Sequence, residues 1–447
     1  MENFKINTKK YHISTYGCQM NVYDSEVLSG YLENMGFMPT EKEEDADVLI
    51  INTCAVRKKA EEKVFSLLGK LRPLKKKNPG ILIVLWGCMV QQESIAQKVK
   101  ERYGFVDLVA GTHSLGRFPD LLEKARVSPR TVLDLEIGEE REHLPIKRGH
   151  QIKAWVPISH GCNNFCSYCI VPYVRGPEKS RPPQNIINEV RELVNDGYRE
   201  ITLLGQNVNS YGKDLEQEIS FADLLNTLDR LEGRFHIRYM TSHPRDFSEK
   251  LIRTIQQSQK ICEHFHLPLQ SGSNKVLKLM NRGYTREYYL ELVAKIRDLV
   301  QNSAVTTDII TGFPGEEEKD FEETLDMLEK VRFDAAYTFV YSPRKGTKAT
   351  EMEGQVTSDI KKKRIIILNE LQSRISMEVN QQLLGTEQVV LVEGRSKTDP
   401  NVYTGRTRTN KIVHFSTSEK NLLGMLVNVD ITEAKSWTLT GNYKNIS

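Results

Sequence analysis

The stretch His160-Gly-Cys-Asn-Asn-Phe-Cys-Ser-Tyr-Cys-Ile170 follows directly on a short apolar run, Lys153 to Ser159, and carries Cys162, Cys166 and Cys169 in a C-x3-C-x2-C spacing. Three thiolates on one short loop can hold three irons of a [4Fe–4S] cluster, since cysteine is the usual cluster ligand. The fourth iron then has no protein thiolate and is open to another ligand. A zinc site would want a fourth Cys or His at a nearby spacing, and none follows within twenty residues. Three cysteines within eight residues, in a chain of 447 that has seven, are too concentrated to read as unrelated thiols.

Outward from this loop, Lys153 to Ser159 is the first of six strand candidates. The others are Arg199 to Leu204, Phe235 to Thr241, Cys262 to Leu267, Ala304 to Ile310 and Phe333 to Tyr341. Helical patterns separate them, such as Ile186, Ile187, Val190, Leu193 and Val194. Six βα units imply a partial (β/α)6 barrel with its chemistry at the C-terminal strand ends, and the cysteine loop lies at the end of the first strand. The other ends are polar or glycine-rich: Gly205-Gln-Asn207, Ser242-His-Pro244, Gln270-Ser-Gly-Ser273, Asp308 with Gly312-Phe-Pro-Gly315, and Tyr341-Ser-Pro343. Gln270 and Asp308 are candidate ligand or substrate contacts, with ordinary loop hydrogen bonding as the competing reading. Lone Cys262 sits at the opposite end of its strand and reads as structural. His243 and His266 read as scaffold histidines.

N-terminal to this barrel, three runs each end in a cysteine. They are Tyr11-His-Ile-Ser-Thr-Tyr-Gly-Cys18, Asp47-Val-Leu-Ile-Ile-Asn-Thr-Cys54 and Ile81-Leu-Ile-Val-Leu-Trp-Gly-Cys88. Each is short, apolar and rich in β-branched residues, which predicts a strand. Helical patterns follow, the clearest being Val27, Leu28, Tyr31, Leu32 and Met35. Alternating strand and helix predicts a parallel sheet, whose strand ends share one edge. Cys18, Cys54 and Cys88 would then meet and could hold a second cluster with an open iron, whereas buried cysteines acting as small hydrophobes would not recur at the same end of three strands. Cys54 precedes Ala-Val-Arg-Lys-Lys-Ala-Glu-Glu-Lys63, which places it where a helix begins, and helix N-terminal amides favour a thiolate. Phe105 to Ala110 reads as a fourth strand without a cysteine. Ser128 to Gln151, charged and carrying Pro129, Pro145 and Gly149, reads as a linker.

Composition fits a soluble globular chain of two or three domains, with 39% hydrophobic and 27% charged residues. The start, Met-Glu-Asn-Phe-Lys-Ile, is polar and has no signal-peptide core, and no apolar run approaches a membrane span. An odd number of cysteines without secretory context points to metal or redox use in the cytoplasm rather than a disulfide framework. The net charge of +3 by itself says little about nucleic acid.

A long helix, about Ser358 to Leu384, carries Lys361-Lys-Lys-Arg364 and ends before Gly385. Five short β-like runs follow: Glu387 to Val392, Tyr403 to Thr409, Lys411 to Phe415, Leu426 to Ile431 and Trp437 to Thr440. They predict a small barrel. Arg406, Arg408 and Lys411, with Tyr403 and Phe415 nearby, suit RNA backbone and bases; a solvated hairpin is the bland alternative.

Taken together, the three segments resemble the radical S-adenosylmethionine (SAM) methylthiotransferases over essentially the whole chain. The resemblance divides it into residues 1–145, a methylthiotransferase domain with a three-cysteine site; 146–375, a radical SAM partial barrel; and 376–447, a TRAM-type RNA-binding barrel. In that superfamily the open iron binds SAM, and one electron from the cluster splits it to methionine and a 5′-deoxyadenosyl radical. The resemblance implies that Tyr168 lies by the adenine and that Gly205, Gln206 and Asn207 meet the SAM amino group, although a common Gly-Gly-Glu form is absent there. Gln270 and Asp308 are further candidates for SAM.

Within the family, Gly205-Gln-Asn-Val-Asn-Ser-Tyr-Gly212, Asn52-Thr-Cys-Ala-Val-Arg57 and Glu61-Glu-Lys-Val-Phe65 look most like the branch acting on N6-isopentenyladenosine at position 37, in the anticodon stem-loop of tRNA. The resemblance implies a 2-methylthio group at adenine C2, two [4Fe–4S] clusters, two SAM per turnover, an electron donor such as flavodoxin or ferredoxin, no membrane and a monomer. Relatives acting on threonylcarbamoyl-adenosine in tRNA or on a ribosomal-protein aspartate remain alternatives. A non-catalytic iron–sulfur RNA-binding or electron-transfer protein is an alternative of another class. Two sites that each leave an iron open argue against that last reading.

Overall fold

The computed structural model describes residues 8–56, 58–138 and 142–447, with residues 58–60 described by backbone alone. The polar start and Arg57 lie outside them. The chain falls into two compact units. One comprises the residues up to His150 with His160–Asn163 and Cys169–Arg181; the other comprises Gln151–Ser159, Asn164–Tyr168 and Pro182–Ser447.

The first unit is built on a six-stranded sheet ordered β2-β1-β3-β4-β5-β6, all parallel. Its strands are β1 (Lys10–Tyr16), β2 (Met38–Pro39), β3 (Val48–Thr53), β4 (Leu82–Gly87), β5 (Leu108–Ala110) and β6 (Val132–Asp134). Its helices are α1 (Gln19–Asn34), α2 (Lys58–Lys77), α3 (Glu93–Arg102) and α4 (Phe118–Val127). Every residue of β3 and β4 is buried, as a parallel strand covered on both faces requires. Leu49, Ile51, Ile83 and Leu85 pack with Val64 and Leu68 of α2 and Val99 of α3. The alternate residue Trp86 meets Phe118 of α4 edge-on, ring centroids 5.7 Å apart. Ser128 to Gln151 is not linker throughout: β6 lies within it and closes the sheet edge.

The cysteine loop lies on the chain between β8 (Ser159–His160) and α5 (Val171–Arg175), and β9 (Lys179–Ser180) follows. In the second unit β7 (Lys153–Pro157), β10 (Glu200–Leu204) and β11 (His236–Tyr239) form one parallel sheet. Strands β12 (His264–His266), β13 (Ala304–Thr311) and β14 (Ala335–Val340) form another. The parallel bridge Ile237↔Ile261 joins them, so six strands stand in chain order as expected of the partial barrel. Helices α6 (Pro183–Asn195), α7 (Phe221–Asp229), α8 (Glu249–Gln257), α9 (Asn274–Leu279), α10 (Arg286–Leu299), α11 (Glu318–Val331) and α12 (Lys348–Glu351) follow the strands. The α6 stripe Ile186, Ile187, Val190, Leu193 and Val194 is buried in one core with Ile201, Leu203 and Ile237. Fully burying each such side chain stabilises by about 1.5–3 kcal/mol. Ser248 and Thr285 cap α8 and α10, accepting from Leu251 N and Tyr288 N.

The helix α13 (Ser358–Gln381) leads into β15 (Glu387–Arg395), β16 (Val402–Thr407), β17 (Ile412–Ser416), β18 (Leu426–Ala434) and β19 (Thr438–Ile446). These close into a barrel ordered β15-β16-β17-β19-β18 around Val390, Val413, Phe415, Val429 and Leu439.

Arg406, Arg408 and Lys411, the residues expected to meet RNA, are half-buried and engage groups of the protein itself. Arg408 donates to both Glu263 oxygens, to Gln259 O at 2.7 Å and to Ile261 O at 2.6 Å. Lys411 Nζ pairs with Asp334 Oδ1 at 2.6 Å and Asn380 Oδ1 at 2.8 Å. Arg406 pairs with Glu393 at 3.1 Å and donates to Asn410. Beneath them the buried Arg238 donates to Glu200 at 2.6 Å and to the carbonyls of Thr407 and Arg408. The cluster of positive charge is a polar seam that clamps the barrel to the strands beside it.

Candidate functional site

Register brings three thiols to one sheet edge. Tyr16 of β1 lies beside Thr53 of β3, and Thr53 lies beside Gly87 of β4. Cys18, Cys54 and Cys88 follow those residues directly or after one residue, on three adjacent strands. The turns are shaped for this. Gly87 has φ +107°, and a Cβ there would stand 2.4 Å from Thr53 O. A buried amide network pins the Cys18 turn: Cys18 N donates to Asn21 Oδ1 (3.3 Å), Asn21 Nδ2 to Asn52 Oδ1 (3.0 Å), and Asn52 Nδ2 to Asn21 O (2.8 Å). Val56 N donates to Cys54 Sγ at 3.4 Å.

The thiols feel one another. A hydrogen bond from Cys54 holds the Cys18 thiol well below its ordinary range, against the cost of burial, and Arg175 adds to this. Cys54 is correspondingly pushed up, and burial pushes up Cys88. Loading iron on these thiols would release protons, because a thiolate is the form that binds metal. Among the described residues no three His, Cys, Asp or Glu side chains are placed to hold a single metal ion. None of the seven cysteines is in a disulfide. Sequence reasoning missed Arg175 and Asp24, which are buried beside these thiols; no local signal marks them.

The C-x3-C-x2-C loop is laced down at both ends. Cys162 N donates to Gly176 O at 3.2 Å, and Gly161 has φ +70°, where a Cβ would meet Pro177 O at 2.0 Å. Further along, Ser167 N and Oγ donate to Met280 O (3.1 Å) and Leu279 O (2.8 Å), and Asn281 Nδ2 donates to Phe165 O (3.1 Å). Arg282, a third residue missed from sequence, donates from Nη1 to Cys166 Sγ at 3.3 Å and from Nη2 to Pro268 O at 2.9 Å. Tyr168 packs among Val276, Met280, Phe313 and Tyr341.

At the other strand ends, Gly205 lies so close to Ser159 that a Cβ would stand 2.7 Å from its Oγ. Gln206 is half-buried. Asn207 spends its amide on the scaffold, donating to Asp246 Oδ2 at 2.7 Å and accepting from His243 N at 3.2 Å. Gln270 has φ +72° and a buried Oε1 with no hydrogen-bond partner. Left-handed backbone at a non-glycine residue costs about 1–3 kcal/mol and persists where the surroundings hold it, often at ligand sites. Asp308 lies 3.6 Å from His266 Nε2 and beside Tyr337 in register, with the Tyr337 and His266 rings 6.0 Å apart. Buried His243 is pushed down to about 2 by burial and the nearby Arg282 and Arg245, so it stays neutral, as a scaffold histidine should. Cys262 is buried and its thiol is pushed up to about 11 by burial. A cleft of about 690 Å³ lined by Lys275, Arg286, Glu317 and Asp320 holds none of the cysteines, and its charges pair with one another, Lys275 with Asp320 at 2.9 Å. Among the described residues no helix is long and apolar enough to cross a membrane.

Comparison with known proteins matches residues 156–328 to the Radical SAM superfamily, 10–111 to the uncharacterized protein family UPF0004 and 381–444 to the TRAM domain. A tRNA-2-methylthio-N(6)-dimethylallyladenosine synthase from Thermoanaerobacter pseudethanolicus is 55% identical over 96% of this chain and 92% of its own length. A protein of the same name from Natranaerobius thermophilus is 54% identical over 97% of each. Among solved structures, the radical SAM methyltransferase TsrM from Kitasatospora setae, with cobalamin and a [4Fe–4S] cluster bound, superposes with TM-score 0.56 at 12% identity, covering 89% of this chain and 80% of that one. That likeness is one of fold.

Proposed function

This chain belongs to the tRNA-2-methylthio-N(6)-dimethylallyladenosine synthases, the MiaB-type radical SAM methylthiotransferases, and from that membership we propose that it adds a methylthio group to C2 of N6-isopentenyladenosine at position 37 of tRNA. The chain is a radical SAM tRNA methylthiotransferase that uses iron–sulfur and SAM chemistry. The finer reading is two [4Fe–4S] clusters, one on Cys162, Cys166 and Cys169 and one on Cys18, Cys54 and Cys88. The observation that carries it is the register of β1, β3 and β4, which gathers three further thiols at one edge of a separate sheet.

When bound, the clusters and two SAM molecules supply the one-electron chemistry, the methyl group and the sulfur. The chain's own residues hold and orient. Arg282 gives a hydrogen bond to the Cys166 sulfur, and such bonds to cluster sulfurs tune reduction potential. Tyr168, Gly205, Gln206 and Gln270 are the proposed SAM contacts, Gln270 through its unengaged Oε1. Asp308, with Tyr337 and His266, lies on the face toward which substrate would come. Flavodoxin or ferredoxin is the proposed electron donor, and the chain is proposed to act as a cytoplasmic monomer.

The test is anaerobic reconstitution followed by turnover on isopentenylated tRNA. Wild type should hold about eight irons, from the four-iron composition of such clusters. A Cys18, Cys54 and Cys88 triple Ala variant should still cleave SAM to 5′-deoxyadenosine yet form no methylthio product. The Cys162, Cys166 and Cys169 triple variant should do neither. The site on Cys18, Cys54 and Cys88 is proposed to give the sulfur; methylthiolated tRNA from the first variant would overturn that role, and about four irons in wild type would remove the second site.

A further inference from the structure

Arg175 ends α5 and is only 4% exposed. Its Nη2 is buried with no hydrogen-bond partner. The carboxylate nearest in charge, Asp24 Oδ2, stands 3.6 Å away, beyond an ordinary N–H···O bond, and Asp24 itself is 0% exposed. A buried guanidinium with a loose counterion and an unengaged donor is costly unless something else completes it. Besides Asp24, three thiols lie near enough to act on its charge, Cys88 foremost, then Cys18 and Cys54. In a [4Fe–4S] site the positive charge of the core does not balance three thiolates, so the assembled site is anionic, and reduction makes it more so.

We propose that Arg175, oriented by Asp24, is the positioning residue that balances the charge of a cluster held by Cys18, Cys54 and Cys88, its buried N–H directed to cluster sulfur. This rests on reading those three cysteines as cluster ligands. The guanidinium stabilises the reduced, more negative cluster and raises its potential. Asp24 opposes it, because its own negative charge shares the guanidinium and lies in the same dry environment. The two residues must therefore shift the cluster in opposite directions. A merely structural role would not produce that sign pattern, since loosening the fold at either residue would expose the cluster to water alike.

The test uses the full chain carrying the Cys162, Cys166 and Cys169 triple Ala changes, reconstituted anaerobically so that one cluster remains, and titrated by redox potentiometry with electron paramagnetic resonance. About four irons per chain are expected, again from the cluster's composition. Arg175→Gln should make reduction at least tenfold less favourable, about 59 mV for one electron. Asp24→Asn should shift the potential the opposite way, and Arg175→Lys should fall between wild type and Arg175→Gln. Potentials that do not move, or that move together in Arg175→Gln and Asp24→Asn, overturn the proposal. If Arg175→Gln does not fold, the opposed shifts of Arg175→Lys and Asp24→Asn decide it. A parent chain without iron would instead overturn the cluster reading, and the role of Arg175 with it.

Discussion

Arg282 is buried, and among the described residues its hydrogen-bond partners are Cys166 Sγ, Pro268 O and the Tyr284 hydroxyl, none of them a carboxylate. A buried cation of this kind needs an anion, and a cluster held by Cys166 provides one. Arg282→Gln should then lose about 10–100-fold in cluster retention or turnover, as for other residues that orient metal ligands. Iron content after anaerobic gel filtration checks this; full retention with full turnover would refute it. His236 makes a second case. Burial, then Arg238 and Arg408, push it from 6.5 down to about 4, so the folded chain disfavours its protonated form. Stability is therefore complete above about pH 6.5 and falls as pH drops toward 4. Replacing His236→Asn should flatten that part of a urea-midpoint-against-pH curve. The role of Arg282 was not legible in the sequence. Arg282 is 116 residues from Cys166, and nothing in the local pattern announces such a pairing.

Whole elements were easier to read than their partners. Cys18, Cys54 and Cys88 end apolar β-branched runs, and those runs became the strands β1, β3 and β4, of which β3 and β4 are buried throughout because a parallel sheet covered on both faces tolerates little else. The six barrel strands likewise followed from alternating periods. What escaped was β6: three residues inside a charged, proline-bearing stretch carry too little periodicity to register. The close turns set the next prediction. Gly87→Ala puts a Cβ 2.4 Å from Thr53 O at φ +107°, so it should destabilise the first unit by at least about 1–3 kcal/mol. Iron bound at Cys18, Cys54 and Cys88 should fall with it. A chain that melts and binds iron like wild type would contradict this.

Across the molecule, basic residues near aromatics on the small barrel suggested RNA, but charge alone does not say which anion it meets. Glu263 and Asp334 lie 145 and 77 residues from Arg408 and Lys411, and they claim those side chains first. Arg408→Ala should therefore cost about 1.5–3 kcal/mol, as for hydrogen bonds to charged groups, and leave the salt dependence of tRNA binding unchanged. Urea unfolding and binding at several salt concentrations check the two halves; a flattened salt slope without destabilisation would favour the RNA reading. The seam carries one more consequence. Glu200 is buried and is kept ionised, down to about 2, by Arg238 and Lys153 against the pull of burial, while Arg238 is satisfied in part by carbonyls of the barrel. Cutting the gene after α13 would not yield a catalytic half that merely lacks an RNA grip. It would strip Arg238 of two acceptors and leave Glu263 and Asp334 without their cations, so any activity lost on such dissection reports a broken interior as much as a missing substrate handle.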